Sequence, residues 1–246
     1  MTTSRLAHAL ENGALALPEG RVAVFGPLPG YDLAALPRDR VVVVSHDAVA
    51  TAFWQAAGYA VTRAPEGAFG AALVVLPRAR AAGKALVAEA AALAPLVIVD
   101  GQKHDGVEAM LKAVRSEAAL AGSLAKAHGK LFWVEGAAFP DWAGQPRDVG
   151  GFVTRPGVFS ADGPDLESLA LLDALPPLKG TVVDLGAGWG FLARAVLQSE
   201  AVTTLHLVET DGVALDCARE NITDPRAQFH WADATRWHPP APVDAV

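Results

Sequence analysis

The chain has one cysteine, Cys217, among 246 residues. That excludes an intramolecular disulfide and any metal site built from clustered thiolates, and its place in a helical pattern reads as a buried thiol. The histidines, at 8, 46, 104, 128, 206, 230 and 238, show neither His-x-x-x-His nor His-Glu-x-x-His spacing, so no metal is expected. No apolar run approaches the ~20 residues of a membrane span, and Met1 to Leu10 lacks the basic start and apolar core of a secretion signal. A cytoplasmic, monomeric protein without membrane contact is the expectation. Excess positive charge is missing too: the formal net charge of −7 argues against a general polyanion binder. Its distribution is uneven, however. Residues 1–135 carry 13 Lys and Arg against 12 Asp and Glu, whereas residues 136–246 carry 7 against 15. Any RNA contact should therefore favour the first half. There Arg78, Arg80 and Lys84 follow one apolar run and Lys103 another, which reads either as a solvated rim or as a phosphate-contacting patch.

With 52% hydrophobic residues the chain can bury a large core or two ordinary ones. Continuous apolar runs at Arg21–Gly26, Val41–Val44, Ala71–Leu76 and Pro95–Asp100 alternate with helical patterns at Ala48–Ala57, 81–93 and Val107–Ala121. Such strands, apolar on both faces, predict a parallel sheet covered by helices on both sides. Prolines and glycines mark residues 136–151 as a linker. A second cycle then reads as a helix at Leu166–Leu175, strands at Val182–Leu185, Leu205–Glu209 and Gln228–Trp231, and helices at Leu192–Gln198 and Val213–Asn221. Pro242 to Val246 reads as the start of a fourth strand. The predicted fold class is α/β, with two tandem Rossmann-like domains, residues 1–135 and 152–246, the second incomplete. The halves also match internally. Val44–Ala50 and Val208–Ala214 share four of seven residues, and Val22–Gly26 mimics Val182–Gly186. The first copy has no glycine-rich loop, and Ser45 stands where the second has Glu209, so it is expected to bind no cofactor.

The chemistry concentrates in Asp184-Leu-Gly186-Ala187-Gly188-Trp189-Gly190, between an apolar strand and a helix. Glycines there let backbone pass close to a ligand, and the helix start offers unpaired N–H groups. A dinucleotide fingerprint would need its third glycine at 191, which is Phe. The Asp-x-Gly-x-Gly-x-Gly pattern instead resembles motif I of class I S-adenosylmethionine (AdoMet) methyltransferases. Glu209 ends the next strand 19 residues beyond Gly190, near the ~20-residue interval at which a carboxylate meets ribose hydroxyls in such folds. Asp211 fits a helix cap better than a ligand. The motif I resemblance implies that Asp233 accepts from the adenine amino group with backbone around Ala234 holding the ring. It also implies that Asp184 lies near the methionine end and that Thr210 adjoins the ribose. Two other matches carry nothing: Ser123-x-x-Lys126 has no companion motif and reads as a helix surface, and Gly129-Lys130 is no phosphate loop.

Three stretches together resemble the RsmC/RlmG-type ribosomal RNA guanine-N2 methyltransferases: Asp100 to Val107, Arg155 to Gly163, and Asp184 to Gly190. That resemblance implies tandem methyltransferase-like domains with the first degenerate, AdoMet as cofactor, and Phe159 and Ser160 beside it. It further implies methyl transfer to the exocyclic N2 of a guanine, in 16S rRNA or the 30S subunit. The family's catalytic Asn-Pro-Pro-Phe does not occur in these 246 residues, so no catalytic residue is assigned. The expectation is a C-terminally truncated chain that binds AdoMet weakly, if at all, and does not methylate alone. Two alternatives stay open: a methyltransferase for a small molecule or protein glutamine, and a non-catalytic AdoMet- or RNA-binding module.

Overall fold

The computed structural model describes residues 4–246. They divide into two compact units, one comprising the chain up to Ser45 with Ala50–Gly144, the other His46–Val49 with Gln145–Val246.

In chain order the first unit contains α1 (Arg5–Glu11), β1 (Val22–Phe25), β2 (Val41–Val44), α2 (Ala48–Ala56), β3 (Ala60–Thr62), β4 (Ala71–Val75), α3 (Arg80–Leu93), β5 (Leu96–Gln102), α4 (Val107–Glu117), β6 (Gly122–Lys126) and β7 (Gly129–Glu135). Its seven-stranded sheet runs β3-β2-β1-β4-β5-β7-β6; the first five strands are parallel, and β7 runs antiparallel to both β5 and β6. Alternate residues of each strand serve different cores, as the pleat requires. Ala23, Phe25, Val97 and Val99 meet Val87 and Ala90 of α3 and Met110 and Val114 of α4. Val22, Val24, Leu96 and Ile98 pack with Leu6 and Ala9 of α1 and Ala50 and Trp54 of α2.

Three elements differ from expectation. Ser123–Lys126 is strand β6, not a helix surface; the helix ends at Glu117, and β7 follows. The β6–β7 turn is made by Ala127 and His128, both left-handed with φ of 51° and 57°. Two-residue hairpin turns of that kind are normally signalled by Asn or Gly, and here the signal is missing. Strand β3, three residues with no fully buried side chain, also escapes a reading based on apolar runs. Between α1 and β5 of the first unit lies a buried ion pair: Arg5 Nε donates to Asp100 Oδ1 at 2.6 Å, and the Tyr31 hydroxyl donates to Asp100 Oδ2 at 2.7 Å. Burial, then the Asp100 carboxylate, pushes the Tyr31 hydroxyl well above its ordinary pKa.

The second unit contains β8 (Arg147–Val149), β9 (Phe152–Thr154), α5 (Leu166–Ala174), β10 (Gly180–Leu185), α6 (Phe191–Val196), β11 (Val202–Glu209), α7 (Gly212–Asn221) and β12 (Ala227–Trp231). Strands β10, β11 and β12 form a parallel sheet in that order. Residues 136–151, expected as a linker, include β8, which pairs antiparallel with β9 across Gly150 and Gly151, both at positive φ. Helices α6 and α7 cover one sheet face, with Ala193, Val196, Ala218 and Ile222 against Val182, Leu205 and Leu207. Of the expected fourth strand, Ala245 forms a single parallel bridge to Val182, and the Val183 N–H donates to the Ala245 carbonyl at 3.0 Å.

Candidate functional site

The sheet of the second unit delivers its site to the carboxyl ends of β10, β11 and β12, where ligands of open α/β sheets bind. Gly186, Gly188 and Gly190 all take left-handed φ, 78°, 55° and 89°. Their roles differ. A Cβ on Gly186 or Gly188 would meet nothing within 4 Å, whereas one on Gly190 would lie 3.1 Å from Ile222 Cγ1 and 3.5 Å from Ala218 Cα. The first two glycines therefore line open space, and the third lets α6 start against α7. Val208 anchors the loop, its carbonyl accepting from the N–H groups of Gly186 at 2.8 Å and Ala187 at 3.2 Å.

Glu209, buried at the end of β11, clamps this loop. Its Oε2 accepts from the Gly188 N–H and its Oε1 from the Asp211 N–H, both at 2.8 Å. Asp211 itself caps α7, accepting from the N–H groups of Val213 and Ala214, as its position suggested. Thr210 donates its hydroxyl to Asp47 Oδ2 at 3.0 Å. Beyond β12, the Ala232 N–H donates to the Glu209 carbonyl at 3.0 Å, bringing the Asp233–Ala234 turn to the same edge. Asp233 accepts from the Thr235 N–H at 2.9 Å and hydroxyl at 2.6 Å, and these bonds hold its carboxyl below its usual range.

Asp184 differs from these acids. Its Oδ2 is buried without a hydrogen-bond partner, and burial together with the Glu209 charge pushes its pKa up to about 6. A native pKa above the unfolded value means that the folded chain binds the extra proton, so stability is full below about pH 4 and lost as pH rises through 6. The shift corresponds to roughly 2–3 kcal/mol. Asp184→Asn is expected to remove that pH dependence, and urea unfolding of both proteins at pH 4.5 and 7 measures it: equal pH responses would contradict the assignment.

From within the loop, Trp189 donates its indole N–H to the Phe159 carbonyl at 3.0 Å. Phe159 is 73% exposed, and Ser160 is left-handed with φ of 53°. Asn221 completes the connection, exchanging hydrogen bonds with Val153 and donating to the Trp189 carbonyl at 2.8 Å. Neither Trp189 nor Asn221 was singled out from sequence: one is a variable position of the motif, and the other links residues 32 and 68 positions away. Among the basic residues, Arg78, Arg80 and Lys103 are exposed just past β4 and β5. The Lys84 ammonium instead lies over the Trp142 ring, 4.4 Å from its centroid. Cys217 is fully buried, and that burial pushes its thiol up.

A family model described as the methyltransferase small domain matches residues 150–246. Residues 150–246 are thus similar to the methyltransferase small domain. The matched residues include the whole glycine loop, Glu209 and Asp233. Over a longer span the chain is similar to "Ribosomal RNA small subunit methyltransferase C" of Pseudomonas paraeruginosa, 32% identical over 173 residues, which are 64% of this chain and 52% of that protein. The protein of the same name from Aeromonas hydrophila is 28% identical over 174 residues, 63% of this chain and 49% of its own. The chain thus spans about half the length of the curated relatives it matches. In structure it resembles the T. thermophilus 16S rRNA N2 G1207 methyltransferase (RsmC), solved in complex with AdoMet and guanosine: TM-score 0.71, 24% identity, covering 93% of this chain and 68% of that one. That likeness shows the fold, a parallel-dominated α/β sheet of the Rossmann-like methyltransferase kind. The sequence and structural likenesses are both to RsmC-type proteins. Among the described residues no helix is long and apolar enough to cross a membrane, and no three His, Cys, Asp or Glu side chains cluster as metal ligands.

Proposed function

We propose that this chain is a class I AdoMet-dependent methyltransferase acting on the exocyclic N2 of a guanine in 16S rRNA, free or within the 30S subunit. One observation carries the cofactor assignment: the Gly186–Gly188 backbone lines open space between the partnerless Asp184 Oδ2 and the clamped Glu209. The donor set fits AdoMet. Glu209 would accept from the ribose hydroxyls, for which each oxygen keeps a lone pair beyond its bond to backbone. Asp184 would face the cationic methionine end, which supplies the positive charge that its burial leaves uncompensated. Asp233 would accept from the adenine amine, with Ala234 and Thr210 adjoining and Phe159 and Ser160 forming a side wall. AdoMet, when bound, supplies an electrophilic methyl group on its sulfonium. A guanine amine is a weak nucleophile, because its lone pair is delocalised into the ring, so orientation toward that methyl is what the site must provide. No residue is assigned a catalytic role.

The first unit is proposed as a related copy without cofactor, with residues 136–151 leading to the second. Two likenesses support this. Both sheets place their first three strands in the order third-second-first, and the next segment begins beside the first strand, as β4 beside β1 and Ala245 beside Val182. The Gly26 N–H donates to the Val44 carbonyl at 2.9 Å, the counterpart of Gly186 to Val208 at 2.8 Å. The first unit has no α-helix between β1 and β2, only the short 3-10 helix Arg38–Arg40, and has Ser45, buried, in place of Glu209. Its exposed Arg78, Arg80 and Lys103 would contact RNA phosphates.

Calorimetry with AdoMet tests the assignment on a monomeric chain. The expected result is one molecule bound per chain, weakened by roughly 1–3 kcal/mol in Glu209→Ala as charge-assisted bonds are lost. Two molecules per chain would remove the cofactor-free reading of the first unit, and no binding, or unchanged binding by the variant, would remove the site.

A further inference from the structure

We infer that Trp189 is a positioning residue: through its indole N–H it holds the Phe159 segment as one wall of the cofactor pocket. The inference rests on the cofactor reading of the glycine loop and adds a second element to it. Trp189 sits inside the loop, between the two glycines Gly188 and Gly190, yet its side chain turns away and is only 4% exposed. Its ring packs edge-on to Phe152 with centroids 5.0 Å apart and lies 5.8 Å from that of Phe191. Within that apolar shell one polar atom, Nε1, needs a partner, and it finds the Phe159 carbonyl.

The bond meets a segment that would not hold this shape unaided. Ser160, immediately after Phe159, is one of three non-glycine residues with positive φ among those described, a conformation that persists only where surrounding structure imposes it. The imposing contacts are visible: Trp189 on the Phe159 carbonyl, the Thr154 hydroxyl on the Ala161 carbonyl at 2.8 Å, and the Gly163 N–H on the Ser160 carbonyl at 3.1 Å. Val158 on one side is buried. Phe159, by contrast, presents a large apolar ring to solvent from a backbone fixed to the glycine loop itself. A ring spent this way is explained by a ligand that covers it, and its tether places that ligand at the glycine loop. Asn221 holds the other end of the arrangement by bonding the Trp189 carbonyl and β9 together. Trp189 therefore acts through Phe159, with no requirement to touch the ligand.

The test uses the whole chain and S-adenosylhomocysteine as probe, with affinity and melting temperature read together. Trp189→Phe keeps the packed ring and deletes the donor; it is expected to weaken binding about five- to tenfold, the worth of one hydrogen bond. Phe159→Ala, on the surface, should weaken binding at least as much with little change in melting. Because one residue acts through the other, the double variant should bind within about twofold of Phe159→Ala alone. Independent losses that multiply, or wild-type affinity in Trp189→Phe, would overturn the inference. If Trp189→Phe fails to fold, 3-benzothienylalanine at 189 keeps the bicyclic shape without the N–H, and the same expectations apply. Failure of the wild-type chain to bind S-adenosylhomocysteine at all would instead overturn the cofactor assignment, which separates the two readings.

Discussion

Gly188→Val is expected to lower AdoMet affinity by at least about 100-fold, a loss of roughly 3 kcal/mol or more in binding free energy. Two effects act together. Gly188 has φ of 55°, where a β-branched residue is strongly disfavoured, and forcing it there costs about 1–3 kcal/mol or displaces the loop. If the backbone holds, the valine side chain enters the open space that Gly188 leaves, which is the space assigned to the ligand. If the backbone moves, the Gly188 N–H leaves Glu209 Oε2 and the carboxylate loses one of the bonds that orients it. Either route removes the site. Calorimetry, with a melting curve to show a folded variant, decides: affinity within tenfold of wild type would place the ligand elsewhere.

Asp100→Ala is expected to destabilise the first unit by roughly 3–5 kcal/mol, because removing one partner of a buried ion pair leaves the other charge uncompensated. Arg5 and Asp100 are both almost wholly buried, and the Tyr31 hydroxyl shares the same carboxylate. Without Asp100, the Arg5 guanidinium keeps the Lys126 carbonyl, at 3.1 Å, as a backbone acceptor. Tyr31→Phe provides the comparison. It removes one bond and leaves the ion pair, so about 1–2 kcal/mol is expected. Denaturant unfolding measures both; equal effects would mean that the charge pair contributes nothing beyond a neutral hydrogen bond.

Much of the candidate site's local geometry was legible in sequence, for a physical reason. The glycine loop, Glu209 and Asp211 lie within 28 consecutive residues, and their roles follow from backbone geometry: positive φ at glycines, an acid at a strand end, an Asp before a helix. The parallel strands were equally plain, because burial on both faces forces unbroken apolar runs such as Val41 to Val44. Residues whose meaning depends on distant partners were not legible. Trp189 gains its role from Phe159, 30 positions earlier, and Asn221 from Val153. Lys84 looked equivalent to Arg78 until Trp142 supplied a ring for it. The β6–β7 hairpin was hidden because Ala127 and His128 adopt a turn that neither residue advertises.

Gly190 carries a different consequence from its two neighbours in the motif. Its missing side chain is what lets Ala218 and Ile222 of the α7 region approach, so a substitution there presses on the scaffold before any ligand arrives. In a living cell the three glycines would thus fail by separate routes. Changes at 186 and 188 would combine strain at positive φ with a side chain in the open space assigned to the ligand, so binding would fall along with stability. A change at 190 would deplete the protein itself, since a loss of one or two kcal/mol is enough to expose a chain to degradation.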